Sequence, residues 1–210
     1  MMTRKEIEDL IIHYGSLMGK KNLTPGVSGN ISYRYGDKIL ITASGSANGY
    51  LKNKDIVLMD YDGVVQEGEE KKPSSEKLMH IAIYKKRTDL NVILHVHSPY
   101  LCSFAAAGIA LDEPIMAENT FYFGKIPLAK YALPSTPELA ENTVKFFDNY
   151  NAVLMANHGF VIASDNIEDA YNKLEIAESY AQIVLNTHIL GGAKVLTKEQ
   201  EKEILLLRNK

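Results

Sequence analysis

Apolar residues along the first sixty-five positions follow two different periods. Near the start they recur at helical spacing, at Ile7, Leu10, Ile11 and Tyr14. Thr3 with Glu6 three residues later is a capping-box pattern, which predicts a first helix that ends near Gly19. Short β-type runs separated by glycine turns follow and predict strands at 31–35, 38–42, 56–60 and 64–65. Short strands joined by tight turns indicate antiparallel pairing in this part of the chain.

After Pro73, helical and extended patterns alternate. One helix is predicted from a cap at Ser74 or Ser75 to about Arg87, a second over 99–107, and a third that starts at 135–138. A fourth is predicted from about 167 to 190, with Asp165 and Glu168 as its capping pair. Strands are predicted at 92–97, 126–131, 152–155 and 160–163. The second of these four is expected at a sheet edge, because Pro127 has no N–H to donate.

Together these elements predict an α/β fold with a predominantly antiparallel sheet of about seven to nine strands and helices on both faces. A parallel dinucleotide-binding arrangement is disfavoured, because the early strands form hairpins and the chain has no G-x-G-x-x-G segment. The sequence has no repeat, linker or low-complexity segment. We therefore expect residues 1–210 to form one domain.

Composition narrows the classes of partner. The chain is 46% hydrophobic and 23% charged with a net charge of −3, and its lysines alternate with glutamates, so nucleic acid is not an expected partner. Cys102 is the only cysteine, which excludes an intrachain disulfide and favours a reducing compartment. No apolar run approaches the ~20 residues of a membrane span. We expect a cytoplasmic protein that binds a small soluble substrate.

Two histidines share one apolar strand. Because side chains alternate along a strand, His95 and His97 point to the same side, about 7 Å apart. They could be core histidines bonded to the backbone, but two buried imidazoles need partners for four ring nitrogens, and a shared cation is the economical solution. His158 in an Asn–His–Gly turn and Glu76 at a helix start would complete a zinc-type catalytic site. His80, one helical turn after Glu76, is a candidate supporting residue.

Small polar residues gather at three predicted loops. They are Gly29, Asn30, Ser44, Gly45, Ser74 and Ser75. Singly, each is explained by turn or cap chemistry. Together they indicate an anion site, because the unpaired N–H groups and dipole of a helix start favour a phosphate.

At this point the sequence resembles the class II aldolase family of the fuculose-phosphate aldolase and ribulose-phosphate epimerase type. Five segments carry the resemblance, in the family's order: G-V-S-G-N-I-S at 26–32, T-A-S-G at 42–45, K-P-S-S-E-K at 72–77, H-V-H at 95–97 and N-H-G at 157–159. The resemblance implies a three-layer α/β/α sandwich and a homotetramer with active sites at subunit borders. It also implies a divalent metal, usually zinc with manganese or another ion as the alternative, on His95, His97, His158 and Glu76.

The resemblance further implies the chemistry. The six loop residues would bind the phosphate of a short ketose 1-phosphate of the fuculose- or deoxypentulose-phosphate type. Cleavage through a metal-stabilised enediolate would yield dihydroxyacetone phosphate and an aldehyde, with Glu76 moving a proton. Fuculose-phosphate aldolase also uses a tyrosine from the neighbouring subunit, in the segment corresponding to 115–120, and this chain has none there. Glu118 is the candidate substitute, ahead of Tyr122 and Tyr131, and the departure favours a deoxypentulose phosphate.

Three other functions are compatible with the same scaffold. A sugar-phosphate 4-epimerase breaks the same kind of bond, although that subgroup tends to carry aspartate in place of Glu76. A methylthioribulose-1-phosphate dehydratase would use the same metal and phosphate sites. An adducin-like binding module would be non-catalytic, and the joint presence of three histidines and Glu76 argues against it.

Overall fold

The computed structural model describes residues 2–207, and within this range the chain folds around one seven-stranded sheet. The strands are β1 (Asn30–Tyr35), β2 (Lys38–Thr42), β3 (Ile56–Asp60), β4 (Val92–Val96), β5 (Leu128–Ala129), β6 (Ala152–Met155) and β7 (Gly159–Ser164). The helices are α1 (Arg4–Lys20), α2 (Lys77–Lys86), α3 (Pro99–Ala107), α4 (Ala117–Tyr122), α5 (Pro137–Val144), α6 (Ile167–Ile189) and α7 (Lys198–Leu207). Neither α4 nor α7 was predicted. Positions 1 and 208–210 of the expected single domain lie outside the described residues.

The sheet is mixed but mostly antiparallel. Its order is β3-β2-β1-β4-β7-β6-β5, and only the β5–β6 pairing is parallel among the described strands. The expected strand at 64–65 is wrong, because Val65 forms only an isolated bridge to Met59. The expected edge strand shrinks to two residues, since Ile126 pairs instead with Leu111. Its place at the edge is confirmed.

Two clusters of buried apolar residues lie on opposite faces of the sheet. One joins alternate strand residues such as Leu94 to residues of α1, α3 and α6. The other joins the intervening strand residues, such as Ile93, to residues of α2 and α5. Because side chains alternate along β4, His95 lies on the same face as Ile93, under α2. This assignment places the histidine pair between the sheet and α2.

Two predicted helix caps are wrong. Ser74 and Ser75 do not cap α2, because Ser74 N–H donates to Thr42 at 3.0 Å and holds this segment beside the end of β2. The helix begins only after a turn, with Glu76 at the N-cap position. In α6 the cap is Asn166, which accepts from Asp169 N–H at 2.8 Å, rather than the Asp165–Glu168 pair. The Thr3–Glu6 capping box of α1 is confirmed.

Among residues 2–207, no helix is both long enough and apolar enough to cross a lipid bilayer.

Candidate metal centre and active site

Three histidines meet where the end of β4 lies beside the start of β7. His95 is in β4, His97 follows its end, and His158 lies in the turn between β6 and β7. The register pairs Val96 with Phe160, which brings this turn against the end of β4. The Nε2 atoms of His95 and His97 are 3.0 Å apart, and one ligand nitrogen from each of the three rings lies within 4.8 Å of the others. The predicted histidine triad is thus brought together.

The backbone sets the protonation of His95. Its Nδ1 lies 2.9 Å from the carbonyl oxygen of Phe160, which can only accept a hydrogen bond. Nδ1 therefore carries the proton in the neutral ring, and the lone pair of Nε2 faces His97. Burial and the neighbouring His95 and His158 lower the pKa of His97 to about 4, so its ring is neutral at pH 7. Against the effect of burial, Glu76 raises the pKa of His95, so the 3.0 Å contact between the two Nε2 atoms accommodates either a proton on His95 or a cation shared by both rings.

Glu76 lies against the same group of nitrogens. Its Oε2 is 2.9 Å from His95 Nε2, and its Oε1 is 3.0 Å from His158 Nε2. Asn30 donates to Oε2 at 3.0 Å. Burial would raise the pKa of Glu76, but positive charge on His95 and His158, or on a cation held between them, outweighs burial and holds this pKa far below its usual range. The carboxylate is therefore anionic.

These donors fit a divalent cation. Despite its short distance to His158, Glu76 Oε1 meets no hydrogen-bond geometry within residues 2–207, so it is a buried oxygen without a partner. Ligands about 2 Å from a tetrahedral zinc ion are about 3.3 Å from one another. Three pairs of these atoms are 2.9–3.0 Å apart, and the three histidine nitrogens all lie within 4.8 Å of one another. Three imidazoles and one carboxylate suit zinc and other first-row divalent ions. The chemistry of the donor set thus agrees with a catalytic metal centre.

The glycine after His158 is required by close packing. A Cβ at Gly159 would lie 2.6 Å from Val96 O, 3.0 Å from His97 Cδ2 and 3.1 Å from His95 Cε1. Any larger residue would push against the two rings that face the centre. The Asn–His–Gly motif therefore supplies one of the three histidines and the space for the other two.

A cleft of about 270 Å³ opens beside the centre. It is lined by all six residues of the predicted anion site, namely Gly29, Asn30, Ser44, Gly45, Ser74 and Ser75. Glu76, His97 and His158 line it too, so the two predicted sites share one cavity. Gly29 has φ +70° and approaches the backbone so closely that a Cβ would lie 2.4 Å from His95 O. That contact fixes the loop of Gly29 against the histidine strand.

Sequence reasoning missed several residues of this cleft. Ser28, Ser46, Pro134 and Ser135 also line it. The Ser46 hydroxyl is buried without a hydrogen-bond partner in the described part of the chain. Ser28 and Ser46 adjoin the predicted loop residues, which is the signal that could have found them.

Glu118 is not part of this cavity within one chain. It lies on α4 and lines a separate groove of about 480 Å³ with Asn119, Glu175 and Ser179. Glu118 is exposed to solvent in the single chain.

Residues 9–185 match the family described as "Class II Aldolase and Adducin N-terminal domain". The chain belongs to the class II aldolase family. This class II aldolase is 36% identical over 207 residues to a Bacillus thuringiensis protein named 5-deoxy-D-ribulose 1-phosphate aldolase, covering 97% of this chain and 95% of the relative. It is 38% identical over 160 residues to the L-fuculose phosphate aldolase of Methanocaldococcus jannaschii, covering 76% and 85% of the two chains.

A solved structure of an L-fuculose 1-phosphate aldolase superposes on this class II aldolase with a TM-score of 0.92. The two are 32% identical, and the match covers 100% of this chain and 99% of the other. The family, the fold and the histidine–glutamate centre therefore agree with one another.

Proposed function

We propose that this chain is a metal-dependent aldolase that cleaves a short ketose 1-phosphate, of the fuculose- or deoxypentulose-phosphate type, into dihydroxyacetone phosphate and an aldehyde. The observation that carries the proposal is the contact of Glu76 with the histidine triad at one end of a cleft lined by small polar loops. A deoxypentulose phosphate yielding acetaldehyde is the favoured substrate. It is supported by the missing tyrosine at 115–120 and by the name of the Bacillus relative.

The metal ligands in this proposal are His95, His97, His158 and Glu76, and the ion is zinc. When bound, the ion would supply Lewis-acid stabilisation of negative charge on the substrate oxygens. The three histidines are proposed to remain neutral and fixed, since His95 donates its other ring N–H to Phe160.

Glu76 is proposed to move the proton at the substrate carbon. A base for this step must be unprotonated and within reach of the cleft, and Glu76 is anionic and lines it. Asn30 holds Oε2, while Oε1 has no hydrogen bond and is the oxygen available for proton transfer.

The substrate phosphate is proposed to bind at Gly29, Asn30, Ser44, Gly45, Ser74 and Ser75. Ser44 and Ser75 are exposed in the cleft and offer hydroxyl donors. The start of α2 adds a favourable dipole. Asn30 donates one of its two amide hydrogens to Glu76, so only the second is available to donate to the phosphate.

Glu118 is proposed to act as the second proton-handling group in the cleft of a neighbouring subunit. This role requires a homotetramer with active sites at subunit borders, and it is supported by the exposure of Glu118 away from its own cleft.

We further propose that residues 1–210 form one domain with a three-layer α/β/α arrangement. The two apolar clusters on opposite sheet faces support these layers. A cytoplasmic location is proposed from the single unpaired cysteine.

The test is a product assay on the purified chain reconstituted with zinc. 5-Deoxyribulose 1-phosphate and fuculose 1-phosphate are offered, and dihydroxyacetone phosphate is measured through an NADH-linked dehydrogenase. We expect release from both, faster from the deoxypentulose. Methylthioribulose 1-phosphate and a pentulose 5-phosphate serve as controls. Dehydration of the first or epimerisation of the second, without release of dihydroxyacetone phosphate from any substrate, would refute the proposal.

A further inference from the structure

A chain of buried polar side chains leads away from Glu76 into the protein. Asn30 bridges to His80, with 2.5 Å between its Oδ1 and His80 Nε2. On the other side of the ring, His80 Nδ1 is 2.7 Å from Ser32 Oγ, which lies 2.9 Å from the Tyr84 hydroxyl. We call Asn30, His80, Ser32 and Tyr84 the His80 relay.

The relay follows from two periodicities. Asn30 and Ser32 are two residues apart on β1 and share the face that α2 covers. Glu76, His80 and Tyr84 are four residues apart and share one side of α2 and its cap. The His80 ring and the Ser32 side chain are fully buried. The relay thus fills the layer between sheet and helix where apolar residues would otherwise pack.

The direction of every hydrogen bond is determined by the carboxylate. Glu76 can only accept, so the Asn30 amide must present its nitrogen to Oε2 and its oxygen to His80. His80 must then donate through Nε2 and accept at Nδ1. Burial lowers the pKa of His80 to about 3, so the ring is neutral and has one acceptor nitrogen.

The remaining bonds follow in the same direction. Ser32 donates its hydroxyl proton to His80 Nδ1. Burial raises the pKa of Tyr84, so its hydroxyl keeps the proton and can donate to Ser32 Oγ or to Asn91 O at 3.2 Å. Asn30, His80 and Ser32 therefore each have a single hydrogen-bond direction, and only the Tyr84 proton has two possible acceptors.

We propose that the His80 relay locks the orientation of the Asn30 amide, and through it the orientation of Glu76, so that Oε1 stays available for its work at the metal centre. If the Asn30 amide flipped, its oxygen would face the Glu76 carboxylate and its nitrogen would face the N–H of His80. Both contacts would be repulsive. His80 is on this account a positioning residue, and the inference rests on the proposed function of Glu76.

Spectroscopy on the wild-type chain tests the proton arrangement directly. Long-range ¹H–¹⁵N spectra at pH 7 should show His80 as a neutral ring protonated at Nε2. This measurement needs no substrate, so it remains decisive even if the chain proves inactive as an aldolase. A His80 ring protonated at Nδ1, or at both nitrogens, would overturn the relay.

Variants then separate positioning from packing. His80→Phe fills the space without hydrogen bonds, whereas His80→Gln keeps an amide N–H near the position of Nε2. We expect His80→Phe to lower kcat and zinc affinity, each by about 10- to 100-fold, with KM little changed. His80→Gln should recover most of both losses. Equal losses in the two variants, or no loss in His80→Phe, would overturn the inference.

Removing a hydroxyl from β1 provides a matched comparison. Ser32→Ala removes a hydroxyl that belongs to the relay, while Tyr33→Phe removes a hydroxyl from a side chain on the opposite face of the same strand. Ser32→Ala should lower kcat and Tyr33→Phe should leave it unchanged; equal effects would count against the relay. Zinc affinity, measured by competition with a chelating dye, gives the same comparison if aldolase activity is absent. Wild-type zinc affinity in both His80→Phe and Ser32→Ala would then reject the positioning role.

Discussion

Replacing Gly159 with alanine should disturb the proposed metal centre without changing any residue that is proposed to bind the ion. The new Cβ would lie 2.6 Å from Val96 O, whereas a carbon–oxygen contact normally needs about 3.3 Å. Relief of this clash requires a movement of about 0.7 Å, shared between the turn and the end of β4. The same Cβ presses on His97 and His95 at 3.0 and 3.1 Å. Zinc–nitrogen bonds tolerate deviations of only about 0.2 Å, so a movement of this size is large for the centre.

The expected size of the effect follows from these distances. Zinc affinity should fall by about 10- to 100-fold, as for other changes that misplace metal ligands. Overpacking costs about 1–3 kcal/mol, which corresponds to a decrease in Tm of roughly 2–12 °C for a chain of this length. Both quantities are measured on metal-free protein, by calorimetry and by titration with zinc.

Gly36→Ala is the matched control. Gly36, unlike Gly159, has a positive φ of +60°, and a Cβ there meets nothing within 4 Å. It should cost about 1–2 kcal/mol in stability for the left-handed backbone and leave zinc affinity unchanged. Unaltered zinc affinity in Gly159→Ala, or an equal loss in Gly36→Ala, would refute the reasoning.

Three further predictions concern the proposed chemistry. Glu76→Gln should keep most of the bound zinc and nearly abolish turnover, because the amide cannot accept a proton; full activity would exclude the proposed role. Ser75→Ala should raise KM for the sugar phosphate by about 10-fold with a smaller change in kcat, and an unchanged KM would remove this hydroxyl from the phosphate site. Glu118→Ala should reduce kcat, and mixing it with Glu76→Gln subunits should restore part of the activity, since some borders would then pair two intact groups. No recovery from demonstrated mixed oligomers would contradict a site shared between subunits.

Prediction of the site from the sequence succeeded where the local pattern and the chemistry of the residues agree. Alternation along residues 92–97 is sufficient to place His95 and His97 on one side, and the three small polar loops meet in one cleft beside the histidines. Ser32 and Tyr84 were within reach of the same reasoning, because they repeat the spacing of Asn30 and of Glu76. Their role becomes visible only when the strand and the helix are placed against each other.

Other features depended on contacts between distant segments. The α2 cap was misplaced because Ser74 bonds to the end of β2, which no local pattern reveals. The edge strand was too long because Ile126 finds a partner at Leu111. Glu118 differs from the proposed metal ligands, because the groups with which it is proposed to act belong to another molecule.

Metal content and catalysis measured on the same preparation test the central claim most directly. The account predicts about one zinc ion per chain, loss of dihydroxyacetone phosphate release after chelation, and its return when zinc is added back. Undiminished release from a chain without bound metal would contradict it.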